Sequence, residues 1–164
     1  MKTYCIERQQ ILPTELAPAW RFFSDPAKLP LITPPWLDFT ITSRVPATIY
    51  PGLIMTYRIR PMGGVPIPWV SEITHVQAPH RFVDEQRSGP YRFWHHQHHL
   101  ATVKGGVNVM DIVHYRLPFG LAGMAMHALW VKRRLDEIFR FRYHALAQYF
   151  RCHIPNTLTN RRPP

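Results

Sequence analysis

The spacing of apolar residues near the N-terminus predicts one strand and then helical turns. Residues 3–11 alternate loosely and are rich in Tyr, Cys and Ile, as is typical of a β-strand. Leu16, Trp20 and Phe23 then recur at intervals that place them on one face of a short helix. Asp25-Pro26 predicts the start of a second short helix, because Asp is a good N-cap and Pro suits the first helical turn.

From residue 37 to residue 117 the hydrophobic period is two, which is the period of strands with one buried face. Turn signals such as Pro51-Gly52 and Lys104-Gly105-Gly106 divide this stretch into six short segments. Six consecutive strands joined by short turns predict an antiparallel meander. With the N-terminal strand, the expected sheet has about seven strands.

After Pro118-Phe119-Gly120 the period returns to 3.6 residues, and an apolar stripe continues as far as Tyr149. A helix of about 30 residues would be ~45 Å long, and its apolar face requires a cover. The sheet is the only candidate, so we predict an α+β fold in which a curved antiparallel sheet wraps around a long C-terminal helix. Residues 1–151 are expected to form a single domain, and the aperiodic residues 152–164 a disordered basic, Pro-containing tail.

Composition narrows the class of protein further. The 17 prolines among 164 residues disfavour an all-helical bundle, because Pro breaks helix interiors. The 20 Lys and Arg against 10 Asp and Glu give a net charge of +10, which predicts attraction to anions. Two distant cysteines indicate no disulfide framework, and no apolar run resembles a signal peptide or a membrane span. We therefore expect a cytoplasmic protein.

Several local motifs carry a resemblance to a known superfamily. They are Leu31–Phe39 (LITPPWLDF), Phe82–Gln86 (FVDEQ) with Gly89-Pro90-Tyr91, Trp94–His98 (WHHQH), and Asp111–Tyr115 (DIVHY) followed by Leu117–Gly120 (LPFG). These residues resemble a bacterial ligand-binding branch of the SRPBCC superfamily. The superfamily includes START domains, birch-pollen-type allergens and polyketide cyclase-like proteins. Leu100 departs from the pattern of that branch, which usually has an aromatic residue at this position. The resemblance implies a helix-grip fold with a cavity between sheet and helix. It does not imply one reaction, because the superfamily contains carriers, sensors and enzymes.

Strand alternation predicts one wall of this cavity. Residues two apart share a face, so Trp94, His96 and His98 point the same way. Pairing with the neighbouring strands would bring Asp84 and Asp111 alongside them. The predicted ligand-binding residues of this wall are Trp69, Ser71, Asp84, Gln86, Trp94, His96, His98, Asp111 and Tyr115. The predicted apolar surface of the cavity consists of Leu53, Met55, Tyr57, Met124 and Leu129.

The polar wall admits several interpretations. Asp84 or Asp111 bonded to His96 or His98 would form a satisfied buried network that fixes strand register. The same groups would orient the polar end of a hydrophobic or amphipathic ligand. A His–Asp pair is also a candidate general acid and base, which makes His96, His98, Asp84 and Asp111 the candidate catalytic residues of a polyketide cyclase-like enzyme. A metal held by His96, His98 and Asp111 is the least favoured interpretation, so no metal and no cofactor is expected.

A ligand-binding carrier or sensor is the preferred function, because the sequence has no nucleophile elbow, Gly-rich phosphate loop or Cys-x-x-Cys pair. A small-molecule enzyme is the alternative. The third hypothesis is binding to an anionic surface through a basic helix face formed by Lys132, Arg133, Arg134, Arg140 and Arg142. The expected partner is a small hydrophobic or amphipathic molecule, with a transient anionic membrane contact and no specific nucleic acid. A monomer and a dimer are both compatible with the sequence.

Overall fold

The structure is a computed structural model that describes residues 2–61, 64–118, 120 and 125–152, without the side chains of residues 127, 128 and 152. Its strands are β1 (Tyr4–Leu12), β2 (Thr40–Ile41), β3 (Leu53–Ile59), β4 (Ile67–Gln77), β5 (Arg81–Ser88), β6 (Phe93–Val103) and β7 (Gly106–Arg116). Its α-helices are α1 (Leu16–Phe23) and α2 (Lys132–Cys152), and two 3₁₀ helices span Pro26–Ile32 and Pro35–Leu37. The predicted order of elements and the α+β class are confirmed.

The seven strands form one antiparallel sheet in the order β1-β7-β6-β5-β4-β3-β2. Strands β2 to β7 are therefore a meander, as predicted, and β1 pairs with β7 at one edge. The register places Tyr4 opposite Tyr115 and Leu12 opposite Val107. Gly106 begins β7 with a positive φ of 148°, and a side chain there would collide with the Leu12 carbonyl oxygen.

The inner face of the sheet follows the two-residue period that the sequence predicts. Every second residue of β7 from Val107 to Tyr115 is buried, and the residues between them are only partly buried. On β6 the buried residues are His96, His98 and Leu100. The core therefore lies between this face and α2.

The segment between β1 and β2 covers one end of the core. Phe22 and Phe23 of α1 are buried, and Phe22 packs against Tyr149 and Phe150 of α2. Asp25 caps the following 3₁₀ helix as predicted, since its side chain accepts a hydrogen bond from the amide of Ala27 at 2.9 Å.

The predicted long C-terminal helix is confirmed: residues 125 and 126 are helical, and the π-helical turn His127–Val131 continues directly into α2. The buried side of this helical segment is marked by Val131, Leu135 and Phe139. The prediction that Leu129 contributes to the apolar cavity surface is wrong, because its side chain is 82% exposed. Leu129 lies two residues before the buried Val131, roughly half a turn around the helix axis, and so faces the opposite side. Met124, predicted for the same surface, lies outside the described residues.

Candidate functional site

A layer of polar side chains crosses the core between two apolar clusters. On β7, Asp111 lies between Val109 of one cluster and Val113 of the other. On α2, Arg142 lies in the same way between Phe139 and Leu146. The layer is completed by side chains of two further strands: Asp84 of β5, and His96 and His98 of β6.

The strand register explains why these groups meet. Asp84 lies opposite His96 in the β5–β6 ladder, and His98 lies opposite Asp111 in the β6–β7 ladder. Directly opposite residues have Cβ atoms about 4.5–5.5 Å apart and on the same face. Local pairing therefore brings two carboxylates to two imidazoles, as the sequence predicts.

Each imidazole lies between the two carboxylates. His98 Nε2 is 2.9 Å from Asp84 Oδ2, and its Nδ1 is 2.9 Å from Asp111 Oδ1. His96 Nε2 is 3.1 Å from Asp111 Oδ1, and its Nδ1 is 3.5 Å from Asp84 Oδ2. The two imidazole rings lie against each other with centroids 3.8 Å apart.

Arg142 completes the layer from the helix side. Its Nη2 donates a hydrogen bond to Asp111 Oδ1 at 3.1 Å, and its guanidinium lies 5.6 Å from the centre of the Phe23 ring. Arg142 is only 9% exposed. Arg142 therefore does not belong to the predicted basic helix face, because it occurs at the helical spacing of the buried residues Phe139 and Leu146.

Opposite charges keep both carboxylates ionised despite burial. Burial acts to raise the pKa of Asp84, but the neighbouring His96, His98 and Arg142 outweigh it and hold that pKa below its ordinary value. The pKa of Asp111 lies well below its ordinary value, because Arg142 and the two imidazoles outweigh the same effect of burial.

The pKa values of the two histidines are shifted in opposite directions. Burial and the neighbouring His98 lower the pKa of His96, and Asp84 and Asp111 only partly compensate. Burial also acts to lower the pKa of His98, but its hydrogen bonds to Asp111 and Asp84 raise it above the ordinary value. The layer therefore favours one charged and one neutral imidazole.

A cavity of about 430 Å³ lies between the inner face of the sheet, the 3₁₀ segments and α2. Its volume is within the ~300–1,000 Å³ of typical small-molecule sites. Most of its walls are aliphatic or aromatic; the charged residues that line it are Asp25, Lys28, Asp84, Arg134 and Arg142. Eight residues predicted from the sequence line it: Met55, Tyr57, Trp69, Ser71, Asp84, Trp94, His96 and His98.

Besides Leu129, four predicted residues do not line this cavity. Asp111 lies behind the imidazoles, and Tyr115 is buried against Tyr4. Leu53 is buried within the apolar core. Gln86 instead holds the β5–β6 turn, since its side chain donates to the Tyr91 carbonyl and accepts from the Tyr91 amide.

An aromatic cluster forms one end of the cavity. Trp69 and Trp94 meet edge to face at 5.3 Å between ring centres, and Tyr91 packs against both. The Trp69 indole donates to Ser71 Oγ at 2.9 Å, which leaves the Ser71 hydroxyl proton available as a donor. Sequence reasoning missed Tyr91 as a lining residue, because it lies in a turn outside the strand period.

Residues before β2, in the π-helical turn and on α2 also line the cavity, although they are not among the residues predicted from the sequence. Trp36 and Trp130 both line the cavity, with the guanidinium of Arg134 5.0 Å and 5.7 Å from their ring centres. Leu135 and Phe139 line it from α2. The helical period could have identified these last two, but it does not distinguish a residue beside a void from one in solid packing.

No protein-family model matches the sequence, and no curated protein matches it either. Several solved structures match it in fold. Ara h 8.0201, a Bet v 1-family protein, is 12% identical, with a TM-score of 0.64 over 93% of this chain and 100% of that one. The helix-grip fold is thereby established. This helix-grip chain is also similar to protein CV1439 from Chromobacterium violaceum (14% identical, TM-score 0.68, 90% and 97% covered) and to Ms6760 from Mycobacterium smegmatis (16%, 0.65, 90% and 91%).

The family resemblance predicted from the sequence motifs is confirmed at the level of the fold. In the part of the chain that the structure describes, no helix combines the length and the hydropathy needed to cross a membrane.

Proposed function

We propose that this protein binds one small hydrophobic or amphipathic molecule in the cavity between the sheet and α2, as a carrier or sensor. The observation that carries the proposal is the cavity itself: about 430 Å³, walled mainly by apolar side chains, with Ser71, Asp84, His96 and His98 as polar groups on the sheet wall. Apolar surface removed from water contributes about 25 cal/mol per Å² to binding. A ligand that fills this space would therefore gain most of its affinity from its apolar body.

The polar groups on the wall define the other end of the ligand. Asp84 lines the cavity, its side chain is 19% exposed, and its pKa favours the ionised form. Ser71 offers a hydroxyl donor at the same wall. These groups suit a ligand that carries a hydroxyl or amino group at one end, because a buried carboxylate needs a hydrogen-bond donor.

The geometry of the polar layer supports binding more than acid–base catalysis. Both nitrogens of His96 and both nitrogens of His98 lie within 3.5 Å of a carboxylate oxygen. A general base needs a nitrogen within hydrogen-bond reach of the substrate. In this arrangement Asp84 and Asp111 occupy that position, so an imidazole would have to leave its carboxylate to act on a substrate.

Binding to an anionic surface through the basic helix face receives less support from the structure than from the sequence alone. Arg142 is buried in the polar layer. Arg133 and Arg134 are both paired with Glu137, at 3.1 Å and 2.9 Å. Lys132 and Arg140 remain exposed, and two charges of this kind are common on a solvated helix surface.

The proposal is tested with N-phenyl-1-naphthylamine, a small apolar probe whose directly excited emission rises in apolar surroundings. We expect saturable binding of one probe per chain. Met55 points inward from β3 and lines the cavity, whereas its neighbour Ile54 is 48% exposed. The Met55→Trp variant should weaken binding at least tenfold by filling the space, and the matched Ile54→Trp variant should leave it unchanged.

Two results would count against the proposal. One is the absence of saturable probe binding to the folded wild-type protein. The other is an equal loss of binding in both Trp variants, since the outward position does not touch the cavity.

A further inference from the structure

Three donor groups on the cavity wall converge at one point. His96, His98 and Asp84 each offer a donor atom, and these atoms lie within 4.8 Å of one another. His96 and His98 are 7% and 4% exposed, and all three residues line the cavity. Two imidazoles and one carboxylate on a cavity wall are the donor set of open transition-metal sites.

A second, independent feature concerns the opposite side of both imidazoles. His96 Nε2 and His98 Nδ1 both contact the same oxygen of Asp111, at 3.1 Å and 2.9 Å. Metal-binding histidines commonly donate their second ring N–H to a carboxylate, which fixes the tautomer and turns the other nitrogen to the metal. One carboxylate performs this role for both rings here, and Arg142 holds that carboxylate in place at 3.1 Å.

When each histidine keeps its ring proton on the nitrogen that faces Asp111, the nitrogens left to bind a metal are His96 Nδ1 and His98 Nε2. The charged His98 releases its second proton, the one that faces Asp84, when a metal binds there. These are the two nitrogens that face Asp84 Oδ2, at 3.5 Å and 2.9 Å. Bonds of about 2.0–2.1 Å in tetrahedral geometry require ligand atoms about 3.3 Å apart. The two observed separations lie on either side of that value, so each nitrogen is close to the distance from Asp84 Oδ2 that a shared metal ion needs.

We propose that His96 Nδ1, His98 Nε2 and Asp84 Oδ2 bind one divalent first-row transition-metal ion, with Asp111 as the outer carboxylate that orients both histidines. Zn²⁺, Co²⁺ and Fe²⁺ suit this mixture of imidazole and carboxylate ligands. The remaining coordination positions face the cavity. The inference goes beyond the binding of an apolar ligand and does not depend on it, because the metal is tested alone.

The test uses the untagged, chelator-stripped full chain, titrated with Zn²⁺ by calorimetry and with Co²⁺ by visible absorption. We expect one ion per chain and a Co²⁺ spectrum of a low-coordinate site. Asp84→Asn and His98→Gln should each weaken binding at least tenfold. Asp111→Asn should weaken it about 10–100-fold while the Co²⁺ spectrum keeps its shape, as expected for an outer carboxylate.

His95→Gln is the matched control. His95 is the neighbour of His96 on β6, points to the outer face of the sheet and contacts Glu85 at 2.9 Å. This variant should bind metal as the wild type does. X-ray absorption of the wild-type protein with Zn²⁺ should show two imidazole ligands, a result that does not depend on how well any variant folds.

Each contrary outcome overturns the proposal. These outcomes are the absence of saturable binding to the wild type, unchanged binding in folded Asp84→Asn and His98→Gln variants, loss of binding in His95→Gln, and a Zn²⁺ spectrum with fewer than two imidazoles. Failure of the metal titration with normal probe binding would reject the metal site alone.

Discussion

Replacing Arg142 with Met should destabilise the fold strongly, although Arg142 is an arginine on a helix rich in basic residues. The guanidinium is buried, donates to Asp111 at 3.1 Å and packs over Phe23. Removing one partner of a buried ion pair costs about 3–5 kcal/mol, because the other charge remains desolvated. Asp111 keeps its contacts with His96 and His98, so we expect a cost near 3 kcal/mol, at the lower end of that range.

Urea unfolding at neutral pH measures this cost, with an unchanged m-value as evidence that the same surface is exposed on unfolding. Arg140→Met is the matched control, because Arg140 is exposed on the same helix, and it should change stability by less than about 0.5 kcal/mol. The double variant Arg142→Met/Asp111→Asn should cost less than the sum of the single changes, since the two groups interact directly. A loss below about 1 kcal/mol in Arg142→Met, or strict additivity in the double variant, would refute this account of the polar layer.

Two further predictions compare neighbouring positions by thermal unfolding. Leu129→Gln should change the free energy of unfolding by less than about 0.5 kcal/mol, because Leu129 is 82% exposed. Leu135→Ala should cost about 2–5 kcal/mol, because Leu135 is 3% exposed. The reverse order would show that the helix face is misassigned. Gly106→Ala should destabilise the protein by well over 1 kcal/mol, since the new Cβ collides with the backbone of β1. In Gly105→Ala the new Cβ meets open space, so only the backbone strain of about 1 kcal/mol remains. Equal losses at the two glycines would contradict the close β1–β7 contact.

The sequence was sufficient for the fold because its periods are clear and its turns are well marked. Alternation along residues 93–103 places Trp94, His96 and His98 on one face whatever the partner strand is. Short turns leave antiparallel pairing as the only option for neighbouring strands, and that pairing brings Asp84 and Asp111 to the two histidines.

The errors in the site came from residues whose burial depends on tertiary packing. The charge of Arg142 predicts that it faces solvent, although its spacing from Phe139 and Leu146 is that of the buried side. The 3.6-residue apolar stripe includes Leu129 and predicts that it faces the cavity, but Leu129 lies in the π-helical turn and is 82% exposed. For Arg142 the helical position predicts the environment better than the residue type does.

The cavity could not be derived from the pattern. A buried apolar position such as Met55 or Leu53 has the same signature whether it borders a void or solid packing, and only the first of these two lines the cavity. The void depends on the separation between the sheet and α2, which results from the packing of the whole core.

Methyl NMR of the protein during titration with N-phenyl-1-naphthylamine shows where a bound apolar molecule lies. We expect saturable shifts, at one probe per chain, in the methyl groups of Met55, Ile73 and Leu135, which line the cavity. The methyl groups of Ile54 and Leu129, which are exposed, should not move. Shifts confined to Ile54 and Leu129, or the absence of any saturable shift at Met55, Ile73 and Leu135, would contradict a ligand site between the sheet and α2.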